Sequence, residues 1–375
     1  MLGDPINRLY FASKIYFSSY GIAWFDLELF LKILRLIYVK KSCSVKELDN
    51  LIKESGAKFA KTGREGYYYA KLLRYLGIVS AKRVRGITLI TLNSHGARIL
   101  YSLRNTGFEP SRSKPLLRQL FSNWLPLQVF LYYIHLRGGR IRIEDIVRDL
   151  GGNLMKKWTG LMYSLGIATD IMRKPGGVYK PFNKFVTRNF FIKLSEELDL
   201  LTTTDNLIEL REFGKAIAKD FTKTLYTRGY DLIRTMPGEY TIYSAIADSL
   251  LYAKVAYIVS PWINGTLVEV VHRVLEINRG IEELYLVMRK THDNTAYARK
   301  LHEIMGGALK ILYFNRLHAK ISADPEGSAV ISSANMTKTS LASNYEVGIY
   351  YIKTPIELQT AVDELLAISK PYRVF

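Results

Sequence analysis

The chain is short of cysteine and of long apolar runs, and these absences exclude several classes of protein. Cys43 is the single cysteine, so no intrachain disulfide and no zinc site built from cysteines can form. No continuous apolar run reaches the length that spans a bilayer. Charged side chains interrupt the apolar stretch at residues 25–39, which therefore predicts a core helix. No secretory leader is evident, and the expected location is cytoplasmic.

Acidic residues are also scarce, and their shortage is unevenly distributed. The chain has 53 Lys and Arg against 34 Asp and Glu, a net charge of +19. Residues 1–225 hold 37 basic against 19 acidic residues, whereas residues 226–375 hold 16 against 15. A general solubility device would be spread evenly, so the asymmetry predicts a separate N-terminal part that binds a polyanion. Nucleic acid is the expected partner. A membrane surface would attract the same charge, but no spanning segment accompanies it.

Polar side chains recur at the ends of apolar runs near the C-terminus. His318 and Lys320 are two residues apart on an alternating segment, and in a strand that spacing points both side chains to one face. Ser333 and Asn335 follow the next apolar run, and Glu346 opens a third. The pattern predicts that these five side chains meet at the edge of a single sheet.

These residue types together suit the handling of phosphate. An imidazole can attack phosphorus and form a covalent intermediate, and Glu346 is expected to orient the His318 ring. Lys320, Asn335 and Ser333 supply donors for the developing charge on the phosphate oxygens. The scheme requires no metal and no cofactor. The alternative for H-x-K alone is a buried strand histidine beside an edge-strand lysine, and the later Ser, Asn and Glu weigh against it.

The order H-x-K, S-x-N and then Glu in the run N-Y-E-V-G resembles the signature of the phospholipase D superfamily, often called HKD, over about residues 226–375. The resemblance implies that His318 is the nucleophile, that Lys320 and Asn335 bind phosphate, and that Ser333 is an auxiliary donor. It also implies a homodimer, because family enzymes use two histidines and this chain has one such motif. The family pattern places Asp at position 325, where this chain has Pro325, and Asp324 lies one residue early.

In the N-terminal part, helices are predicted at about 26–39, 45–53 and 63–75, followed by a basic hairpin and a closing helix. This order of elements resembles the winged helix-turn-helix of archaeal and bacterial DNA-binding proteins, and the resemblance implies winged-helix modules over the first 225 residues. In such a fold the third helix enters the major groove and the hairpin, or wing, lies along phosphates. The predicted nucleic-acid contacts of this module are Arg64, Lys71, Arg74, Lys82, Arg83 and Arg85. An ordinary solvated helix and hairpin is the alternative for these charges.

An internal repeat predicts a second, diverged winged helix. Residues 72–78 recur as residues 161–167, an offset of 89. Helices are expected at about 126–137 and 142–150, a strand and closing helix at 207–221, and a basic loop after the second copy. The predicted contacts of this module are Lys156, Lys157, Arg173 and Lys174.

The C-terminal part alternates helix and strand. Helices are predicted at about 241–253, 264–277, 293–305 and 355–369, and strands at about 254–260, 282–289, 309–314, 316–323, 327–332 and 346–352. The fold class is therefore multidomain α+β and α/β, with tandem winged-helix modules followed by a phospholipase D-like α/β domain with a mixed sheet. The predicted domains are 1–104, a linker at 105–116, 117–225 and the catalytic 226–375.

The sequence thus predicts a DNA-binding phosphodiesterase, a nuclease that cuts through a phosphohistidine in a metal-independent reaction at a dimeric site. The alternative is a winged-helix transcriptional regulator whose phospholipase D-like domain senses a ligand without catalysis. Lipid hydrolysis is disfavoured because nothing marks an interfacial helix.

Overall fold

A computed structural model describes residues 8–19, 21–56, 65–167, 181–235, 238–278 and 280–372. The chain divides into two compact units that interleave along the sequence. The helical unit comprises Ile15–Lys156 and Tyr179–Lys223, and the sheet unit comprises Met1–Lys14, Lys157–Val178 and Thr224–Phe375. The residues of both predicted winged helices fall largely in the helical unit. The domain limits at 104, 116 and 225 stay predictions.

Helices occupy most of the helical unit and flank the strands of the sheet unit. The helices are α1 (Leu9–Ser19), α2 (Leu27–Lys40), α3 (Val45–Glu54), α4 (Glu65–Tyr75), α5 (Ser94–Arg104), α6 (Pro110–Phe121), α7 (Leu125–Leu136), α8 (Ile143–Ile146), α9 (Met155–Ser164), α10 (Lys184–Val186), α11 (Lys193–Glu197), α12 (Glu212–Arg228), α13 (Thr241–Leu251), α14 (Gly265–Ile277), α15 (His292–Met305) and α16 (Ile356–Ile368). Turns of π-helix at Val147–Leu154 and Thr187–Ile192 join α8 to α9 and α10 to α11.

The described strands form three sheets. The strands are β1 (Ser42–Ser44), β2 (Val79–Val84), β3 (Ile87–Leu92), β4 (Arg140–Arg142), β5 (Leu201–Thr204), β6 (Leu207–Leu210), β7 (Tyr230–Thr235), β8 (Val255–Val259), β9 (Glu283–Met288), β10 (Leu309–Tyr313), β11 (Ile321–Ala323), β12 (Ala329–Ser332), β13 (Glu346–Tyr351) and β14 (Lys370–Pro371). Their orders are β1-β3-β2, β4-β6-β5 and β14-β10-β9-β8-β11-β12-β13-β7. The predicted fold class, with a mixed sheet, is confirmed.

The first winged helix has the predicted elements in the predicted order. Ser44 begins α3 with the expected capping box: its hydroxyl accepts from the Glu47 backbone N–H at 3.2 Å, and the Glu47 carboxylate accepts from the Ser44 N–H at 2.7 Å. The hydrogen bond from Lys40 and those from Ser44 lower the pKa of Glu47 to about 2. The β2–β3 hairpin turns at Arg85 and Gly86, which both have positive φ.

In the second winged helix, the strand and closing helix predicted at 207–221 are present as β6 and α12. The sheet β4-β6-β5 has the same order as β1-β3-β2, so the hairpin equivalent to β2–β3 is β5–β6. The helix leading into that hairpin is α10–α11, not α9. The predicted basic loop with Arg173 and Lys174 lies outside the described residues.

The repeated segment marks a type of helix ending that also occurs at the end of α11. Ile78 N donates to Leu73 O at 2.9 Å, Ile167 N to Met162 O at 2.8 Å, and Leu200 N to Ser195 O at 2.7 Å; the same six-residue backbone hydrogen bond also follows α5 and α7. The first two use glycine at the left-handed position, whereas the third uses Asp199 with φ of 54°. Burial raises the pKa of the Asp199 carboxyl, but Arg118 and Lys114 hold it below its ordinary value. These cations stabilise Asp199 in the left-handed conformation. A search for the repeated Leu-Gly-Ile pattern misses this helix end because it has no glycine.

Two further predictions need correction. The linker at 105–116 was expected to lack periodic structure, but α6 begins at Pro110 and runs through it. Proline at the first helical position favours a helix start because its missing N–H costs nothing there. The strand expected at 316–323 is limited to β11, and residues 317–320 have no regular secondary structure.

Gly96 in α5 and Gly214 in α12 leave no space for a side chain. A Cβ at Gly96 would lie 2.0 Å from the Ile78 carbonyl oxygen, and one at Gly214 would lie 2.1 Å from that of Leu200. We expect Gly96→Ala and Gly214→Ala each to destabilise the protein by about 1–3 kcal/mol or more, because the obstacle is backbone. The measurement is the urea midpoint of unfolding.

The matched control is Gly160→Ala, an exposed helical position with no atom within 4 Å. It should be neutral or stabilising by up to about 1 kcal/mol. Gly96 and Gly214 lie in the closing helices of the two winged helices, each against the carbonyl of a residue just after the preceding helix. If Gly214→Ala is as stable as Gly160→Ala, the two closing helices do not pack in the same way.

Candidate active site

Strand direction brings the predicted site residues to one side of the eight-stranded sheet, where the parallel strands have their carboxyl ends. We call this side the site edge. Strands β8, β9 and β10 are parallel, so their carboxyl ends share an edge. β11 runs antiparallel to β8 with Ile321 opposite Val259, so it begins at that edge. β12 returns and ends there, with Ile331 opposite Ile321, and β13 starts there, with Gly348 opposite Ser332. The loops before β11, after β12 and at the start of β13 therefore converge.

His318 lies in the irregular segment just before β11, and the residue is exposed. The backbone on both sides is fixed: Arg289 Nε donates to the Leu317 carbonyl at 2.8 Å, and the Ser332 N–H donates to the Lys320 carbonyl at 3.1 Å. Within the part of the chain that the structure describes, the His318 imidazole makes no hydrogen bond. A fixed backbone with an unengaged ring suits a nucleophile that meets its substrate from solvent.

Lys320 folds back toward the histidine. Its ammonium donates to the His318 carbonyl oxygen at 2.8 Å, so the positive charge lies beside the segment that carries the imidazole. One donor bond leaves the ammonium with N–H groups for an anion. The two residues of the H-x-K motif are therefore held together, although neither is in the strand that the sequence predicted.

Glu346 is engaged with serine rather than with histidine. Its side chain is buried, with 7% relative exposure. The Ser333 hydroxyl donates to Oε2, and Asn344 Nδ2 donates to Oε1 at 3.2 Å. The Val347 N–H donates in turn to the Ser333 oxygen at 3.1 Å. The described contacts thus use Glu346 and Ser333 to join the end of β12 to the start of β13, and they include no bond from Glu346 to His318.

Asn335 carries a polar atom without a partner. Its Oδ1 is buried and makes no hydrogen bond among the described residues, whereas its backbone carbonyl accepts from Thr337 N–H at 2.7 Å. The neighbouring Met336 is fixed by its N–H donating to Ser260 Oγ at 3.1 Å. Buried polar groups normally have partners, and the two ends of an amide exchange by a half-turn. The Asn335 amide is therefore left with unsatisfied hydrogen-bonding capacity in the loop after β12.

Asp324 lies at the far end of β11, away from His318. Its carboxylate accepts from the Glu326 N–H at 3.0 Å, inside the turn that connects β11 to β12. Burial raises the pKa of the Asp324 carboxyl. Asp324 therefore shapes the hairpin turn, and its one-residue displacement leaves the site edge unchanged.

Residues at the ends of β8 and β9 complete the edge, and sequence reasoning assigned them no role in binding. The Trp262 side chain has 43% relative exposure, and the Arg289 guanidinium carbon lies 5.6 Å from the centre of its ring. The signal that could have found them is position, because loops after parallel strands line the sites of α/β sheets.

The predicted nucleic-acid contacts are distributed over several elements. Lys82, Arg83 and Arg85 are exposed on the β2–β3 hairpin. Lys71 and Arg74 lie on α4 next to the Tyr75 ring. The Lys71 ammonium nitrogen is 5.9 Å from the ring centre, and the Arg74 guanidinium carbon is 5.0 Å from it. The predicted contacts on α9 are Lys156 and Lys157, which are exposed. Arg64, like Arg173 and Lys174, lies outside the described residues.

The sequence matches no protein-family model and no curated protein sequence. Among solved structures, the chain is similar to Nuc, a phospholipase D family member from Salmonella typhimurium, with 11% identity and a TM-score of 0.32 over 39% of this chain and 98% of that one. NucT from Helicobacter pylori gives 13% and 0.31, over 38% and 99%. TrmBL2, an archaeal chromatin protein, gives 10% and 0.29, over 70% and 100%. Likenesses of this size do not transfer an activity to the chain.

None of the helices in the described ranges is long and apolar enough to cross a membrane. In the same ranges, no group of three or more His, Cys, Asp and Glu side chains is placed to hold a metal ion.

The Ser333 bridge yields a stability prediction. Ser333→Ala would leave the buried Glu346 oxygen and the Val347 N–H without their partner, and such losses cost about 1–3 kcal/mol. The neighbouring Ser332→Ala is the control, since its hydroxyl makes only a long bond of 3.4 Å to the Ala334 carbonyl. Urea unfolding should show the larger loss for Ser333→Ala. Equal effects of the two changes would mean that the bridge is not a structural element.

Proposed function

We propose that the chain is a DNA-binding phosphodiesterase of the phospholipase D type, a nuclease that cleaves through a phosphohistidine. The observation that carries the proposal is the convergence of His318, Lys320 and Asn335 on one sheet edge. Among the described residues, the His318 imidazole is exposed and makes no hydrogen bond, the Lys320 ammonium donates to the His318 carbonyl, and Asn335 Oδ1 is a buried atom without a partner.

The reaction follows from these groups in two displacements. One imidazole nitrogen of His318 attacks phosphorus, a nitrogen–phosphorus bond forms, and the bond from phosphorus to the leaving sugar oxygen breaks. That oxygen takes a proton from a general acid. Water then attacks phosphorus, loses a proton to the same group acting as base, and releases the imidazole. Lys320 and Asn335 bind the non-bridging oxygens throughout, where charge accumulates.

The general acid is assigned to His318 of a second copy of the chain. The sequence has one H-x-K motif, and a two-fold axis at the site edge would bring two such segments together. In this arrangement one histidine is the nucleophile, and the other acts first as general acid and then as general base. The described contacts of Glu346 support a role in holding β12 to β13, which fixes the Asn335 loop.

The first winged helix is the part that holds DNA. Its hairpin carries Lys82, Arg83 and Arg85, all exposed, at or near the tight turn formed by the positive-φ residues Arg85 and Gly86. Such a wing lies along the phosphate backbone and contributes affinity without reading bases.

One observation favours the alternative of a regulator without catalysis. Glu346 bonds to Ser333 and Asn344, so the His318 ring lacks the orienting carboxylate that an activated imidazole normally has. A regulator would keep its DNA affinity and would have no turnover to lose.

The deciding experiment compares wild type and His318→Ala on labelled single- and double-stranded DNA in excess EDTA. We expect cleavage by the wild type, and a loss of at least about 10³-fold in the variant, because the covalent step requires the imidazole. His272→Ala is the matched control, since that histidine lies on α14 with an exposed side chain. DNA binding by all three proteins with cleavage by none would replace the nuclease with the regulator.

Mixing the same two proteins tests the dimer. If one site needs two copies of His318, the activity of a randomly exchanged mixture follows the square of the wild-type fraction. A monomeric site would give a linear dependence.

The wing is tested by the salt dependence of binding. Lys82→Gln, Arg83→Gln and Arg85→Asn combined should lower DNA affinity and reduce the slope of log K against log salt by about 0.9 for each phosphate that is no longer neutralised. Asparagine is chosen at Arg85 because it tolerates positive φ. The control removes the same charge from Lys254, Lys310 and Lys353, which are exposed at the opposite edge of the eight-stranded sheet. An unchanged slope in the wing variant would exclude the hairpin from the interface.

A further inference from the structure

Trp262 is an exposed aromatic side chain on a rigid loop. It follows β8 at the site edge, and Ser260 Oγ donates to its carbonyl at 2.8 Å. The buried Asn294 holds the residues on both sides: Nδ2 donates to the Pro261 carbonyl at 2.8 Å, and Oδ1 accepts from the Ile263 N–H at 3.1 Å. A single exposed apolar side chain needs no explanation. Three hydrogen bonds between side chains and backbone fix the loop that carries Trp262, so its indole is exposed at a defined position.

Arg289 connects that indole to the proposed nucleophile. Its guanidinium carbon lies 5.6 Å from the centre of the Trp262 ring, within the range of a cation–π contact. Its Nε donates to the carbonyl of Leu317, the residue before His318. Asn294 Nδ2 also donates to the Arg289 carbonyl, at 2.9 Å. Among the described residues, the two terminal nitrogens of Arg289 make no ion pair, so they can donate to an anion.

Basic side chains concentrate around this pair, although residues 226–375 are nearly neutral in total. Lys290 follows Arg289 after β9 and is exposed, and Arg316 is exposed in the loop after β10. The acidic side chains at the site edge offset this positive charge only weakly. Glu346 is buried and bonded to Ser333 and Asn344, and Asp293 is exposed in the first turn of α15, next to His292. An aromatic face, a guanidinium and a local positive field are the parts of a site for single-stranded nucleic acid.

We propose that Trp262 and Arg289 form a stacking platform for one unpaired nucleobase next to the phosphate held at His318. The proposal rests on the proposed nuclease function and names its substrate class: nucleic acid that is single-stranded at the point of cleavage. A base within a duplex has both faces covered by its neighbours, so it cannot lie on the indole unless it is flipped out of the stack. The guanidinium would bind the phosphate of the same nucleotide while the ring holds its base.

The test measures binding in the full-length His318→Ala protein, so that it does not depend on turnover. The probes are an oligo-dT of about 12 nucleotides, an abasic backbone of the same length, and a duplex of that length. Trp262→Leu should weaken dT binding by roughly 5- to 100-fold and leave the abasic and duplex affinities unchanged. Trp262→Phe should restore most of the loss, because phenylalanine keeps an aromatic face.

Tyr252→Leu is the matched control. Tyr252 is an aromatic residue with 66% relative exposure, and it precedes β8 at the opposite edge of the sheet. Its replacement should change no affinity. Circular dichroism and the urea midpoint of each variant show whether it is folded. If the leucine variant is not, Trp262→Gln carries the test, with the same expected loss of dT binding.

Several outcomes would overturn the platform. An unchanged dT affinity in Trp262→Leu, equal losses on dT and the abasic backbone, or no dT binding in the parent would each do so. A loss confined to vesicles of phosphatidylcholine and phosphatidylglycerol in equal parts would assign Trp262 to a lipid surface instead. If dT binding depends on Trp262 but the wild type cuts nothing, the platform stands and the nuclease fails. If the wild type cuts DNA and Trp262→Leu binds and cuts normally, the nuclease stands and the platform fails.

Discussion

The direction of β11 is the constraint on which the rest of the candidate site depends. Because β11 runs antiparallel to β8, with Ile321 opposite Val259, the chain enters the sheet at the carboxyl ends of the parallel strands. Every later hairpin returns to the same edge, which places the H-x-K segment, the Asn335 loop and Glu346 together. A slip of one residue in this register would turn each side chain to the other face of the sheet. The turn at Asp324 that closes the β11–β12 hairpin is therefore as important to the site as the residues that face substrate.

A division of labour among the polar side chains follows from their contacts. Glu346 and Ser333 satisfy each other in a buried bridge, so their polarity is used within the fold. The His318 imidazole is exposed and makes no hydrogen bond among the described residues, and Asn335 has a buried Oδ1 without a partner there. Resemblance to a motif assigns all five residues to catalysis alike, whereas hydrogen bonding separates Glu346 and Ser333, which are engaged within the fold, from His318 and Asn335, whose polar groups are not. The separation argues that the loop after β12 needs a rigid base before Asn335 can be positioned.

The sequence predicted most elements of the fold because each depends on local signals. The capping box at Ser44 and the period of the helices in the C-terminal part are properties of neighbouring residues. What failed depended on distant ones. Asp199 takes the left-handed position that glycine holds at residues 77 and 166, and it does so beside Arg118, 81 residues away. The partnership of Trp262 with Arg289 likewise exists only once β8 and β9 lie side by side, so no spacing along the chain could show it.

The charge distribution gives residues 1–225 and residues 226–375 different physical problems. A strongly basic N-terminal part can hold nucleic acid through phosphates alone, an attraction that is long-ranged and indifferent to the state of the bases. Residues 226–375 carry almost no net charge, so apart from the local contribution of Arg289, Lys290 and Arg316, a cleavage site there would gain little from long-range attraction. It needs short-range contacts that tell one phosphate from the next. Stacking on a fixed aromatic ring supplies such a contact, since it operates only within van der Waals distance and only on a base that has left its neighbours. Affinity and selection of the cleavage point would then come from separate interactions, and salt would weaken the first much more than the second.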